Sequence, residues 1–102
     1  MTWTPHSLEQ VENILRSEES ELSADERTKF ARVKVPIRKV LCIRNVQYPN
    51  DSLFVVADDG AMAVVFDDVD EEFAFCESAH LGGAVRQWTL AGSLSAALGK
   101  LS

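Results

Sequence analysis

From Leu8 onward the chain keeps to one rhythm and then changes it. Leu8, Val11, Ile14 and Leu15, with Leu22 farther on, recur at the three-to-four-residue interval of a helix with one apolar stripe, while Glu9, Glu12, Glu18, Glu19 and Glu21 fill other positions. This spacing predicts an amphipathic helix over residues 7 to about 18. Thr4-Pro5 puts proline where a first helical turn needs no N–H, and Ser7 with Gln10 fits a capping box. Trp3 stands where it could pack against the first turn as a hydrophobic staple. Ser23-Ala24-Asp25-Glu26 repeats the capping pattern and predicts a helical turn or short helix around residues 24 to 31.

The period then drops to two. Val33, Val35 and Ile37 alternate with other residues, but Pro36 lacks an N–H and favours an edge, a bend or a strand start. The strand proper is expected after it, with Val40, Cys42 and Arg44 on one face and Leu41, Ile43 and Asn45 on the other. Tyr48-Pro49-Asn50-Asp51 marks a turn. LFVVA (53 to 57) and AMAVVF (61 to 66) flank Asp58-Asp59-Gly60, a hairpin signal because Asp-Gly readily takes the positive φ of tight turns. Another strand begins near Phe73, and VRQWTL (85 to 90) is a possible last one after Gly82-Gly83. Ser93 can cap a closing helix with Leu94, Ala97, Leu98 and Leu101 on one stripe. Short strands joined by tight turns pair with their neighbours. The expectation is one α+β domain over 1–102, an antiparallel sheet of about four strands with N-terminal and C-terminal helices mainly on one face.

Composition narrows the function. The longest strictly apolar run, AMAVVF, falls far short of the roughly 20 residues of a membrane helix. The N-terminus has neither the basic start nor the apolar middle of an export signal, which favours the cytoplasm. Cys42 and Cys76 could form one bridge only and read better as buried free thiols. Cys76 and His80, with Cys42 and His6, could complete a tetrahedral zinc shell, but four distant residues would have to converge without a Cys-x2-Cys pair. No metal or cofactor is expected.

Charge order says more than the net charge of −6. Residues 1 to 26 hold seven acids and one base, residues 27 to 50 seven bases and no acid, and residues 51 to 77 nine acids and no base. Such blocks either fold into opposed surfaces or compensate one another internally. The densest acids lie in FDDVDEEFAF, residues 66 to 75. No register there supplies the ligands and glycine of an EF-hand, although Asp68, Asp70 and Glu72 would share a face of a strand and could weakly hold a hard divalent ion. Alternatively Asp68 caps a short helix with Glu71 as its partner. Phe73 belongs to the core in either case.

Asp68 and Glu71 are the candidate acid-base pair, but nothing in the sequence fixes a substrate between them. Ser7, Ser78, Ser93 and Cys76 lack a nucleophile elbow, His80 near Cys76 is an isolated pair, and no Rossmann or Walker pattern occurs, so an enzyme is not expected. Arg27, Lys29, Arg32, Lys34, Arg38, Lys39 and Arg44 could contact phosphates, with Phe30 or Tyr48 for stacking, but the adjoining acidic blocks oppose nucleic-acid binding.

FVVADDGAMAVVFDDVDEEF (54 to 73), with its acidic D-x-x-E-E-like segment, and LAGSLSAALGKL (90 to 101) resemble small uncharacterised bacterial sheet-plus-helix proteins, some of them immunity-like. That resemblance implies an acidic surface that masks a basic nuclease. Independently, complementary charge suits partner recognition. The expected function is therefore a small protein-binding or regulatory protein whose Asp67, Asp68, Asp70, Glu71 and Glu72 meet a basic protein, with Phe75 as an apolar anchor. The alternatives are a structural accessory domain, or a homodimer joined through an edge strand with Trp88 or Phe75.

Overall fold

The computed structural model describes residues 4–44 and 51–101. Trp3, Asn45 and the Tyr48-Pro49-Asn50 part of the expected turn lie outside the described residues. The element order is α1 (Leu8–Ser20), α2 (Ala24–Val33), β1 (Lys34–Leu41), β2 (Ser52–Asp58), β3 (Met62–Asp67), β4 (Glu72–Glu77), a 3₁₀ turn (Ser78–Gly82), β5 (Thr89–Gly92) and α3 (Leu94–Leu98). The fold is α+β. Its five strands form one antiparallel meander, β1-β2-β3-β4-β5, one strand more than the expected four or so.

Both capping boxes form. Ser7 and Gln10 exchange hydrogen bonds at the start of α1, as do Ser23 and Glu26 at α2. The second helix outlasts its expected end and runs through Val33 straight into β1 without a loop. Pro36 is accommodated because β1 is an edge strand and its register with β2 shifts between Lys34 and Arg38. The Asp58-Asp59-Gly60 hairpin forms, with Gly60 at φ 95° and the Asp59 carboxylate accepting the N–H groups of Ala61 and Met62.

Alternation along the strands produces two apolar layers. On one face the three helices contribute Val11, Leu15, Phe30, Leu94 and Leu98, which meet Phe54, Val56, Phe66 and Phe73 of the sheet. Phe66 and Phe73, paired across β3 and β4, meet edge-to-face at 5.2 Å. A register shift after Val55 lets Val56 and Ala57 both join this layer. The opposite face buries Val40, Cys42, Leu53, Val55, Val65, Ala74 and Cys76 beneath a strap formed by the 3₁₀ turn and the segment from Gly83 to Trp88.

The strap is fastened to the far edge of the sheet. Val85 forms a parallel bridge with Cys42, receiving Ile43 N–H on its carbonyl and donating its own N–H to Leu41. The chain then returns to β4 as β5, from Thr89, so VRQWTL divides into strap and strand. Leu8, expected on the buried stripe of α1, is exposed. Among the described residues no helix is long and apolar enough to cross a membrane.

Candidate functional site

The acidic stretch is the turn between β3 and β4. Asp67 closes β3 opposite Glu72, which opens β4, and residues 68 to 71 make the turn between them. Neither the extended acid ridge nor the helix start forms. Glu71 takes a left-handed backbone with φ 56°, which reverses the chain in place of the glycine such a position favours.

The two inner carboxylates point into the molecule. Asp67 is wholly buried and Asp68 is 3% exposed, so the expectation that both stand on a solvated, partner-facing edge is corrected. Isolated carboxylates do not persist at such depth, and each has a local reason to be there. Asp67 follows Val65 on the strap face of β3, where Arg44 follows Val40 and Cys42 from β1. The Arg44 guanidinium grips Asp67 with two N–H groups, at 2.6 and 2.9 Å, and gives its Nε–H to Asp51 at 2.5 Å. The indole of Trp88, the last strap residue, donates to Asp67 at 3.0 Å while its ring lies 4.9 Å from the Arg44 guanidinium carbon. Asp67 also accepts the main-chain N–H groups of Val69 and Asp70. One carboxylate thereby ties together the segment that follows β1, the strap and the turn.

Burial works to raise the Asp67 pKa, but the hydrogen bonds from Arg44 and Trp88 and the Arg44 charge outweigh it and hold the group below the ordinary carboxylate value. Asp68 moves the other way. Burial raises it against the opposing main-chain N–H of His6, which donates at 2.9 Å, and its second oxygen is buried without a hydrogen-bond partner among the described residues. The His6 imidazole lies between Asp68 (3.9 Å) and Glu71 (3.6 Å), packed edge-on to Phe66 at 5.7 Å. The segment before α1 is in this way moored to the turn. The proposed acid-base pair is split by depth, one carboxyl buried and the other 71% exposed.

What remains outside is a smaller acidic tip. Asp70 is half-exposed with Arg44 3.8 Å away, Glu71 is exposed and Glu72 is partly so. Phe75 is not beside them. It lies three residues along β4, about 10 Å at strand spacing, with the Lys100 ammonium 5.7 Å above its ring.

The other sequence candidates disperse. Cys42 donates its thiol to Asp51 at 3.2 Å, His6 sits by the turn, and Cys76 and His80 lie at the end of β4 and in the 3₁₀ turn. Among the described residues no group of three His, Cys, Asp or Glu is placed to hold a metal. Arg44 is withdrawn from any phosphate-binding surface by its carboxylates, and Phe30 is buried in the helix layer. Lys34, Arg38 and Lys39 remain exposed along β1. Sequence reasoning missed His6 and Trp88 as partners of the turn. The available signal was Arg44 itself, which alternation places on the same face as buried Val40 and Cys42, where a cation requires carboxylates. No family model, curated protein or solved structure matches this chain.

Proposed function

We propose that this protein is a small non-catalytic binding protein that captures a basic protein partner through Asp70, Glu71 and Glu72. The observation that carries this reading is the fixation of the turn from below. Asp67 accepts five hydrogen bonds, two of them from the main chain of the turn, so the tip carboxylates stand on a backbone already in its binding shape. A preordered patch loses less conformational freedom on association, and like charges grouped at a tip steer an oppositely charged surface. In this reading Asp67 and Asp68 support the site rather than touch the partner. Leu8, exposed two residues after the moored His6, replaces Phe75 as the apolar anchor.

An immunity-like role is one form such capture would take, the masked surface being the basic substrate-binding face of a nuclease. A cytoplasmic setting agrees with two buried free thiols, Cys42 and Cys76. The test compares the wild type with an Asp70→Lys, Glu71→Lys, Glu72→Lys variant of unchanged circular dichroism, in quantitative pull-downs from the source cell. The wild type is expected to enrich basic proteins, and the variant to lose at least about tenfold of that enrichment. Equal capture by both would overturn the assignment.

A further inference from the structure

A second surface, of opposite sign, lies between α1, α2 and the outer edge of β1. A groove of about 480 Å³ is lined by Arg16, Arg27 and Lys34 over Phe30, with Glu19 as its one carboxylate. A neighbouring groove of about 290 Å³ shares Arg16, Glu19 and Lys34, adds the carboxylate of Glu12, and continues between α1 and β1 past Pro36 and Ile37, so the cationic excess lies in the first groove. Beyond it the β1 edge carries exposed Arg38, Lys39 and Leu41.

The cations are only lightly compensated. Lys34 meets Glu19 at 3.5 Å with both side chains substantially exposed, a geometry of small net strength. The hydrogen bonds of Arg16 and Arg27 go to neutral oxygens, Asn13 Oδ1 and the Ser20 carbonyl. The edge itself is partly open. Val85 occupies it at Leu41 C=O and Ile43 N–H, and by the two-residue alternation of a strand the main-chain groups of Lys39 face the same way, with no neighbouring strand among the described residues.

We propose that this cationic groove binds an acidic peptide segment of a protein partner in extended form. Its carboxylates meet Arg16, Arg27 and Lys34, its aliphatic side chains rest on Pro36 and Ile37, and its backbone pairs with the β1 edge at Lys39. Charge complementarity and the apolar lining select this occupant. A single-stranded nucleic acid would need aromatic faces for its bases, whereas Phe30 is 2% exposed and presents none. The surface is separate from the acidic tip, so this inference does not rest on the function proposed above.

The probe is a fluorescein-labelled peptide of alternating glutamate and valine, titrated against the whole protein by fluorescence anisotropy. Comparison ligands are the lysine-for-glutamate peptide and an oligothymidylate of equal length. The acidic peptide is expected to bind best, to weaken by at least about tenfold on Arg16→Glu with Lys34→Glu, and to be indifferent to Arg86→Glu on the strap. The charge-neutral pair Arg16→Gln and Lys34→Gln, checked by circular dichroism, keeps the comparison valid should charge reversal disturb folding. Slowed amide exchange at Lys39 in the bound state is expected from edge pairing. The proposal is overturned by equal binding of the acidic and basic peptides, by unchanged affinity in both groove variants, by tighter oligothymidylate binding, or by a groove filled through concentration-dependent self-association instead.

Discussion

Asp67 and Asp68 are chemically identical neighbours with opposite environments, and pH separates them. The lowered pKa of Asp67 means its stabilisation is present above the unfolded value and is lost as pH falls through the folded one. The raised pKa of Asp68 reverses the sign, because the folded protein favours its protonated form and that stabilisation disappears as pH rises through the folded value. Asp67→Asn is therefore expected to cost about 3 kcal/mol near neutral pH, since Arg44 loses its bidentate partner inside the protein. Asp68→Asn is expected to be neutral or stabilising by up to about 1 kcal/mol near neutral pH, with the difference from wild type vanishing below about pH 4. Urea unfolding at two pH values checks both, and a large loss for Asp68→Asn at neutral pH would contradict the assigned burial penalty. Glu71 offers a different test. Glycine accepts its left-handed backbone without a Cβ clash, so Glu71→Gly is expected to raise stability by about 1 kcal/mol while weakening capture of a basic partner. A thermal melt and the pull-down above read the two effects separately.

Among the elements, α3 and the strap depend most on distant parts of the chain. Five residues are too few for a helix to hold itself, and α3 borrows from its neighbours. Glu18, in the last turn of α1 where negative charge is unfavourable, accepts the N–H of Leu94 at 2.9 Å, and Glu26 of α2 accepts the Ser95 hydroxyl. Two of the seven acids in the N-terminal block, Glu18 and Glu26, thus hold helices together. Glu18→Ala is expected to cost about 1 kcal/mol and to speed amide exchange along Leu94–Leu98, whereas Glu18→Gln keeps an acceptor and most of the stability. Unaltered exchange in the alanine variant would show that the carboxylate does not hold the helix. The strap is latched at Val85, wholly buried against the second layer. Val85→Ala leaves a cavity there and is expected to cost about 2 kcal/mol, measurable by urea unfolding.

At the scale of the molecule, both sheet faces are covered and the two thiols lie under the strap. Burial, aided by Asp51, pushes Cys42 up to about 12, and burial pushes Cys76 up to about 11. Labelling by a thiol-reactive chromogen at pH near 8 is expected to follow global unfolding, since thiolate forms only once the layer opens. Rapid labelling of native protein would show that the strap opens locally. The charge blocks resolve in both of their possible ways. Arg44 from the basic block meets Asp51 and Asp67 from the acidic one inside the fold, while Lys34, Arg38 and Lys39 remain outside on β1, and Asp70 to Glu72 remain at the tip.

Much of the architecture was legible because it is local. Capping boxes at Ser7 and Ser23, the Asp58-Asp59-Gly60 turn and the alternation of Val40 with Cys42 each act within a few residues, and neighbouring strands pair with little loop-closure cost. The end of α2 and the limits of β5 were less legible, because packing decides where a helix or strand stops. Of the five acids from Asp67 to Glu72, three were legible as at least partly solvent-facing, Asp70 and Glu71 exposed and Glu72 half-buried. Asp67 and Asp68 were not, because nothing within the stretch reveals that Arg44 lies across the sheet, that Trp88 arrives on a strap, or that His6 reaches the turn from a point 62 residues away in sequence. The sequence by itself determined the α+β elements and the density of acid at one turn. Only the tertiary structure decided which carboxylates meet solvent, because burial of a charge is permitted only where distant partners converge on it.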